Sequence, residues 1–70
     1  MNNKYDGLRL EIYANGQFQG WVKKISTFNN EVVPTTNKME ARTFAKMETA
    51  DKYAKLAYQI VRGTLSFKVA

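Results

Sequence analysis

The side chains best equipped to do work in this chain are rings and cations near its start: Arg9, Tyr13, Trp21, Lys23 and Lys24. An aromatic ring supplies a flat apolar surface and a neighbouring cation neutralises charge, which suits stacking on exposed bases beside phosphates. The same residue types dominate the hot spots of protein interfaces. Covalent chemistry has fewer means. The chain has no histidine and no cysteine, so Ser26, Ser66 and the threonines lack the usual activating base, and thiolate metal sites are excluded. The carboxylates Asp6, Glu11, Glu31, Glu40, Glu48 and Asp51 are scattered, with no pair spaced for metal or glycosidic chemistry. The four glycines form no phosphate-cradling loop. We therefore read the chain as a non-enzymatic binding module without catalytic, cofactor or metal residues.

Those rings and cations must be positioned by a folded scaffold, and the composition supports one. Hydrophobic residues make up 44% of the chain, too many for a disordered segment. At 70 residues it forms one domain, residues 1–70. A chain of this size buries only about 60% of the surface its unfolded form exposes, so a homodimer is one route to further burial. Eleven Lys and Arg against six Asp and Glu give a net charge of +5. That sign suits something acidic, whether nucleic acid, an anionic membrane face or an acidic protein patch, and argues against an inhibitor that mimics DNA. No apolar run approaches the roughly 18 residues of a membrane span. Residues 1–6 lack the apolar stretch of a signal peptide, so the expected location is cytoplasmic.

Leu8, Leu10 and Ile12 alternate with Arg9, Glu11 and Tyr13, the period-two signature of a half-buried strand. Asn15-Gly16 marks a hairpin turn. A two-residue turn would pair Ala14 with Gln17 and place Leu10 and Ile12 beside Gln19 and Trp21. A three-residue loop, with Gly16 left-handed in a bulge, pairs Tyr13 with Gln17 and sets the aliphatic residues beside Phe18, Gly20 and Val22. The second register gives one clean apolar face and is preferred. It leaves Arg9, Glu11, Tyr13, Gln17, Gln19, Trp21 and Lys23 on the opposite face, with Trp21 across from Arg9 and Lys24 adjacent in sequence. The alternative is that Trp21 and Tyr13 simply cover the sheet's second face or dock on Tyr5.

Ile25 is out of phase with Val22, which predicts a bulge at Lys23-Lys24. A turn at Phe28-Asn29-Asn30-Glu31 leads into a short strand at Val32-Val33 that Pro34 ends or confines to an edge. Thr36 or Asn37 caps a helical turn over Lys38–Ala41, and Phe44 plugs the core. From Met47 to Arg62, Ala50, Tyr53, Ala54, Ala57, Ile60 and Val61 form one apolar helical stripe, with Leu56 and Tyr58 at its margins. No capping residue precedes that helix. Glu48 with Lys52 and Asp51 with Lys55 are expected ion pairs on its wet face. Met39 and Met47 read as gap-fillers. Gly63 stops the helix, and Leu65, Phe67 and Val69 alternate in a closing strand. The predicted order is β-β-β-α-β, a small α+β fold with one helix packed across one face of an antiparallel sheet, the last strand's position being open.

The run from Thr36 to Ala54, with its Ala41-Arg42-Thr43-Phe44 turn, Glu48-Thr49-Ala50 and Tyr53-Ala54, resembles short accessory proteins of bacteriophages and prophages of Gram-positive bacteria. In those a hairpin, a turn ending Ala-Arg/Lys-x-Phe, an amphipathic helix and a closing strand follow in order. Lys46 stands where they carry a small polar residue. The resemblance implies a protein that acts by binding in the host cytoplasm, mostly of unassigned activity. A second likeness is to the arm-binding domain of tyrosine-type phage integrases, which reads DNA with its sheet; the closing strand departs from it.

Overall fold

The structure is a computed structural model that describes residues 7–70, so Tyr5 and Asp6 lie outside the described residues. Four strands, β1 (Leu10–Ala14), β2 (Gln17–Ser26), β3 (Glu31–Thr35) and β4 (Ser66–Val69), form one antiparallel sheet in the order β3-β2-β1-β4. One helix, α1 (Met47–Ile60), lies on one face, and a single 3-10 turn (Lys38–Glu40) sits between β3 and α1. This is the expected α+β arrangement. The closing strand lies antiparallel to β1, at the edge.

The first hairpin departs from the expected loop. Asn15 and Gly16 take φ of 52° and 79°, the positive pair that a two-residue type I′ turn requires, and Ala14 pairs with Gln17. Local turn chemistry wins, and the phase is repaired downstream. Tyr13 pairs with Phe18 but Ile12 pairs with Gly20, so Gln19 is the extra residue of a bulge, and Gly20 absorbs it at φ 138°. Beyond the bulge Ile12, Gly20 and Val22 share the face toward α1, as the apolar pattern demanded. Two consequences correct the sequence reading. Phe18 joins the outer face, and Trp21 lies across from Glu11 rather than Arg9.

The second bulge falls where expected. Val22 pairs with Pro34 and Lys24 with Val33, leaving Lys23 unpaired and returning Ile25 and Val32 to the core side. Pro34 is tolerated because β3 is an edge strand.

The core is small. Leu10, Ile12, Val22 and Phe44 pack against Ala50 and Ala54, and of these only Leu10 and Val22 are large side chains with essentially no exposure. Each such burial contributes about 1.5–3 kcal/mol. Ala50, Ala54 and Ala57 carry so little bulk that α1 settles close to the sheet. Segment 42–44 wedges beside the sheet: Leu8 and Phe44 exchange backbone bonds of 2.9 and 2.8 Å, and the Arg42 N–H donates to the Val22 carbonyl at 3.0 Å. Leu8 is thus bridged to Phe44 rather than paired with Val22.

The ends of α1 differ in quality. Lys46 occupies the N-cap in extended geometry without a side-chain bond, as the sequence implied. At the other end α1 stops at Ile60, two residues early. The Gly63 N–H reaches the Tyr58 carbonyl and the Arg62 N–H the Gln59 carbonyl, both at 3.1 Å, which is a Schellman closure. Its left-handed residue is Arg62, at φ 55°, with Gly63 following at φ 72°. Asn37, not Thr36, caps the 3-10 turn by accepting the Met39 N–H at 3.0 Å. Asp51 and Lys55 meet at 3.3 Å. Met39 and Met47 are both exposed and so fill no gap: the 3-10 turn buries none of its residues, and Met47 opens α1 ahead of its first buried residue, Ala50. No helix among the described residues is long and apolar enough to cross a membrane.

Candidate functional site on the outer sheet face

The face of the sheet turned away from α1 carries most of the residues singled out from the sequence. Strand alternation and register set Lys68, Glu11, Trp21 and Thr35 in one row across all four strands, with Ser66, Tyr13 and Phe18 in the next. The bulge at Gln19 is what brings Phe18 into this set. Phe18 stands edge-on to both neighbours, with ring centroids 5.7 Å from Tyr13 at 70° and 5.0 Å from Trp21 at 75°. Edge-to-face contact aligns the positive rim of one ring with the negative face of the next, so the three form one ridge. Phe18 is 47% exposed, while Trp21 and Tyr13 are half-buried against their neighbours.

The polar groups around the ridge are engaged with one another. The Tyr13 hydroxyl donates to Glu11 Oε1 at 2.8 Å. That bond to a carboxylate, helped by burial and by the Glu11 charge, raises the Tyr13 pKa above its ordinary value of 10.0. Arg9 donates from Nε to the Lys38 carbonyl and from an Nη to the Gly7 carbonyl, each at 3.3 Å. With Glu11, Trp21, Lys38 and Ala70 it lines a recess of about 280 Å³ at the corner of the face. So Arg9 and Trp21 do share a surface, as neighbours around this recess rather than as a cross-strand pair. Lys23 reaches Glu40 Oε1 at 3.8 Å, and the Thr35 hydroxyl donates to the same oxygen at 3.2 Å. Lys24 is exposed near the far end of β2 and forms no part of the ridge.

Phe18 and Arg42 escaped the sequence reading. For Phe18 the available signal was Gly20, since a glycine inside a strand marks a bulge and a bulge reverses the faces before it. Arg42 has no comparable signal. Its guanidinium lies 4.6 Å from the Tyr53 ring centre and 5.1 Å from that of Phe44, a cation–π stack on the helix side that only the tertiary fold assembles. Among the described residues no three acidic, histidine or cysteine side chains gather in a metal-binding arrangement. Compared with known proteins, the chain matches no family model, no curated protein and no solved structure.

Proposed function

We propose that the chain is a non-enzymatic binding module that docks on a protein through its outer sheet face, with Phe18 and Trp21 as anchors. The observation that carries this reading is the edge-to-face ridge of Tyr13, Phe18 and Trp21 on a face that α1 leaves open. A ridge of interlocked rings fits a pocket on a partner, where aromatic anchors concentrate binding energy. Stacked bases need separately accessible ring faces, and phosphates need uncommitted cations. Here Glu11 places negative charge at the centre of the face, and Lys23 is already drawn to Glu40. These features favour protein over nucleic acid, while the net charge of +5 gives the partner an acidic surface.

The likeness to phage and prophage accessory proteins supplies the setting: a phage-type protein acting on a host or phage protein in the cytoplasm. Affinity capture from a Gram-positive host lysate, with and without nuclease, tests it. The expected result is a captured protein that survives nuclease and is lost with Trp21→Ala or Phe18→Ala, each costing about 2 kcal/mol or roughly 30-fold in Kd. Capture that disappears with nuclease, together with oligonucleotide binding that falls steeply as salt rises, would transfer the function to nucleic acid.

A further inference from the structure

The two edges of the sheet are not equivalent. β3 is blunted by Pro34, which has no N–H to offer. β4 carries no proline and one charged residue, Lys68. Arg9 and Ala70 exchange backbone bonds of 2.8 and 2.9 Å, and the antiparallel register continues through Glu11–Lys68 and Tyr13–Ser66. The alternation of such ladders then turns the N–H and C=O groups of Phe67 and Val69 outward, away from β1. Beside this open edge, between β4 and α1, runs a groove of about 470 Å³ with Ala54, Tyr58 and Phe67 as its apolar lining and Asp51 and Lys55 on its helical side. Phe67 and Val69 stay only half-buried there, and Tyr58 is 53% exposed.

We infer that this edge is the seam of a homodimer, in which the β4 of a second copy pairs antiparallel with the first and joins two four-stranded sheets into one. This surface is separate from the outer-face ridge and does not depend on it. Self-complementarity identifies the occupant. With the two-fold axis at Phe67, the outward backbone groups of each Phe67 bond those of the other. Leu65 then lies opposite Val69 of the second copy, and Ser66 opposite its Lys68. A register centred on Lys68 would set like charges face to face. The aligned copy brings Leu65, Phe67 and Val69 to the groove side, where the lining is apolar. The two helices run antiparallel on either side of the axis. Asp51 and Lys55, one turn apart on the same flank, therefore meet Lys55 and Asp51 of the second copy. A small core with two large, fully enclosed side chains is the kind that gains from such an extension.

Sedimentation velocity on the full chain over a wide concentration range tests the seam. The wild type should shift from 8.0 kDa toward twice that mass. Val69→Pro removes an outward donor while sparing the bonds to β1, and should weaken the dimer at least roughly tenfold with unchanged circular dichroism. Asp51→Lys should weaken it also, and Asp51→Lys with Lys55→Asp should restore it, because the swapped pair is again self-complementary. Trp21→Ala should leave the mass unchanged, which separates this result from any failure of the outer-face reading. A wild-type mass of 8.0 kDa at every concentration, as expected if a foreign extended peptide is the true occupant, overturns the inference. So does a dimer indifferent to both Val69→Pro and the charge swap.

Discussion

Gly20 is the position on which both the core and the outer face turn, and Gly20→Ala puts a number on that. A Cβ there would lie 2.6 Å from the Thr35 carbonyl oxygen, where ordinary contact begins at 3.4 Å. The obstacle is backbone, so β3 must move. Thr35 is also the residue whose hydroxyl holds Glu40, so its displacement disturbs the corner beside Trp21. Holding alanine at φ 138° costs about 1–3 kcal/mol, and overpacking against the neighbouring strand adds about 1–3 kcal/mol. The expected loss is thus about 2–6 kcal/mol, against a whole-domain stability of about 3.5–10 kcal/mol for a chain of this length. Gly16→Ala is the matched control. Gly16 also has positive φ, 79°, but nothing lies within 4 Å of its added methyl, so about 1 kcal/mol should be lost. Urea unfolding followed by far-ultraviolet circular dichroism, with a slope near 1 kcal/mol/M, should show a midpoint fall of at least about 2 M for Gly20→Ala. If the two variants unfold within about 1 kcal/mol of each other, the bulge does not discipline the sheet as argued.

Arg62→Gly should raise the urea midpoint, relieving about 1–2 kcal/mol of left-handed strain against the smaller entropy cost of glycine, a net gain of about 0.5–1 kcal/mol. Lys46→Asp should gain about 1 kcal/mol in the same assay, since the N-cap backbone is already extended and lacks only an acceptor; no gain would mean the first turn of α1 is satisfied another way. Tyr13 should titrate above 10.0 by ultraviolet absorbance, and Glu11→Gln should return it toward that value. Its folded pKa is raised, so the contribution of the Tyr13–Glu11 bond is complete below the unfolded phenol pKa and is lost as pH rises through the folded one. Unfolding curves on either side of that window check the sign.

The alternation of Leu8, Leu10 and Ile12, the helical stripe of alanines and the break at Val22–Ile25 were legible because each is a local period set by one element's geometry. The hairpin was harder, since two local rules competed. The clean apolar face and the Asn15-Gly16 turn cannot both hold without an extra residue, and the chain satisfies both by spending Gln19 and Gly20 on a bulge. That choice turned Phe18 outward and moved Trp21 from Arg9 to Glu11. The placement of β4, the wedge of segment 42–44 and the Arg42 stack depend on long-range closure, which no short window of sequence encodes. At the site, Trp21 and Tyr13 were legible as outward residues of strands, and Arg9, which falls just before β1, as a cation on the same surface. Their edge-to-face locking and the ties of Lys23 and Arg9 to the 3-10 turn were not.

The pairing of β1 with β4 carries a cost during synthesis. β1 and β2 are made well before β4, so one side of β1 finds its partner only when residues 66–69 have been made. At 5–20 residues per second, the roughly 40 residues in between take on the order of 2–8 s. Until α1 has been made, Leu10 and Ile12 have no helix to cover them, and the hairpin alone is a ribbon with one bare aliphatic side.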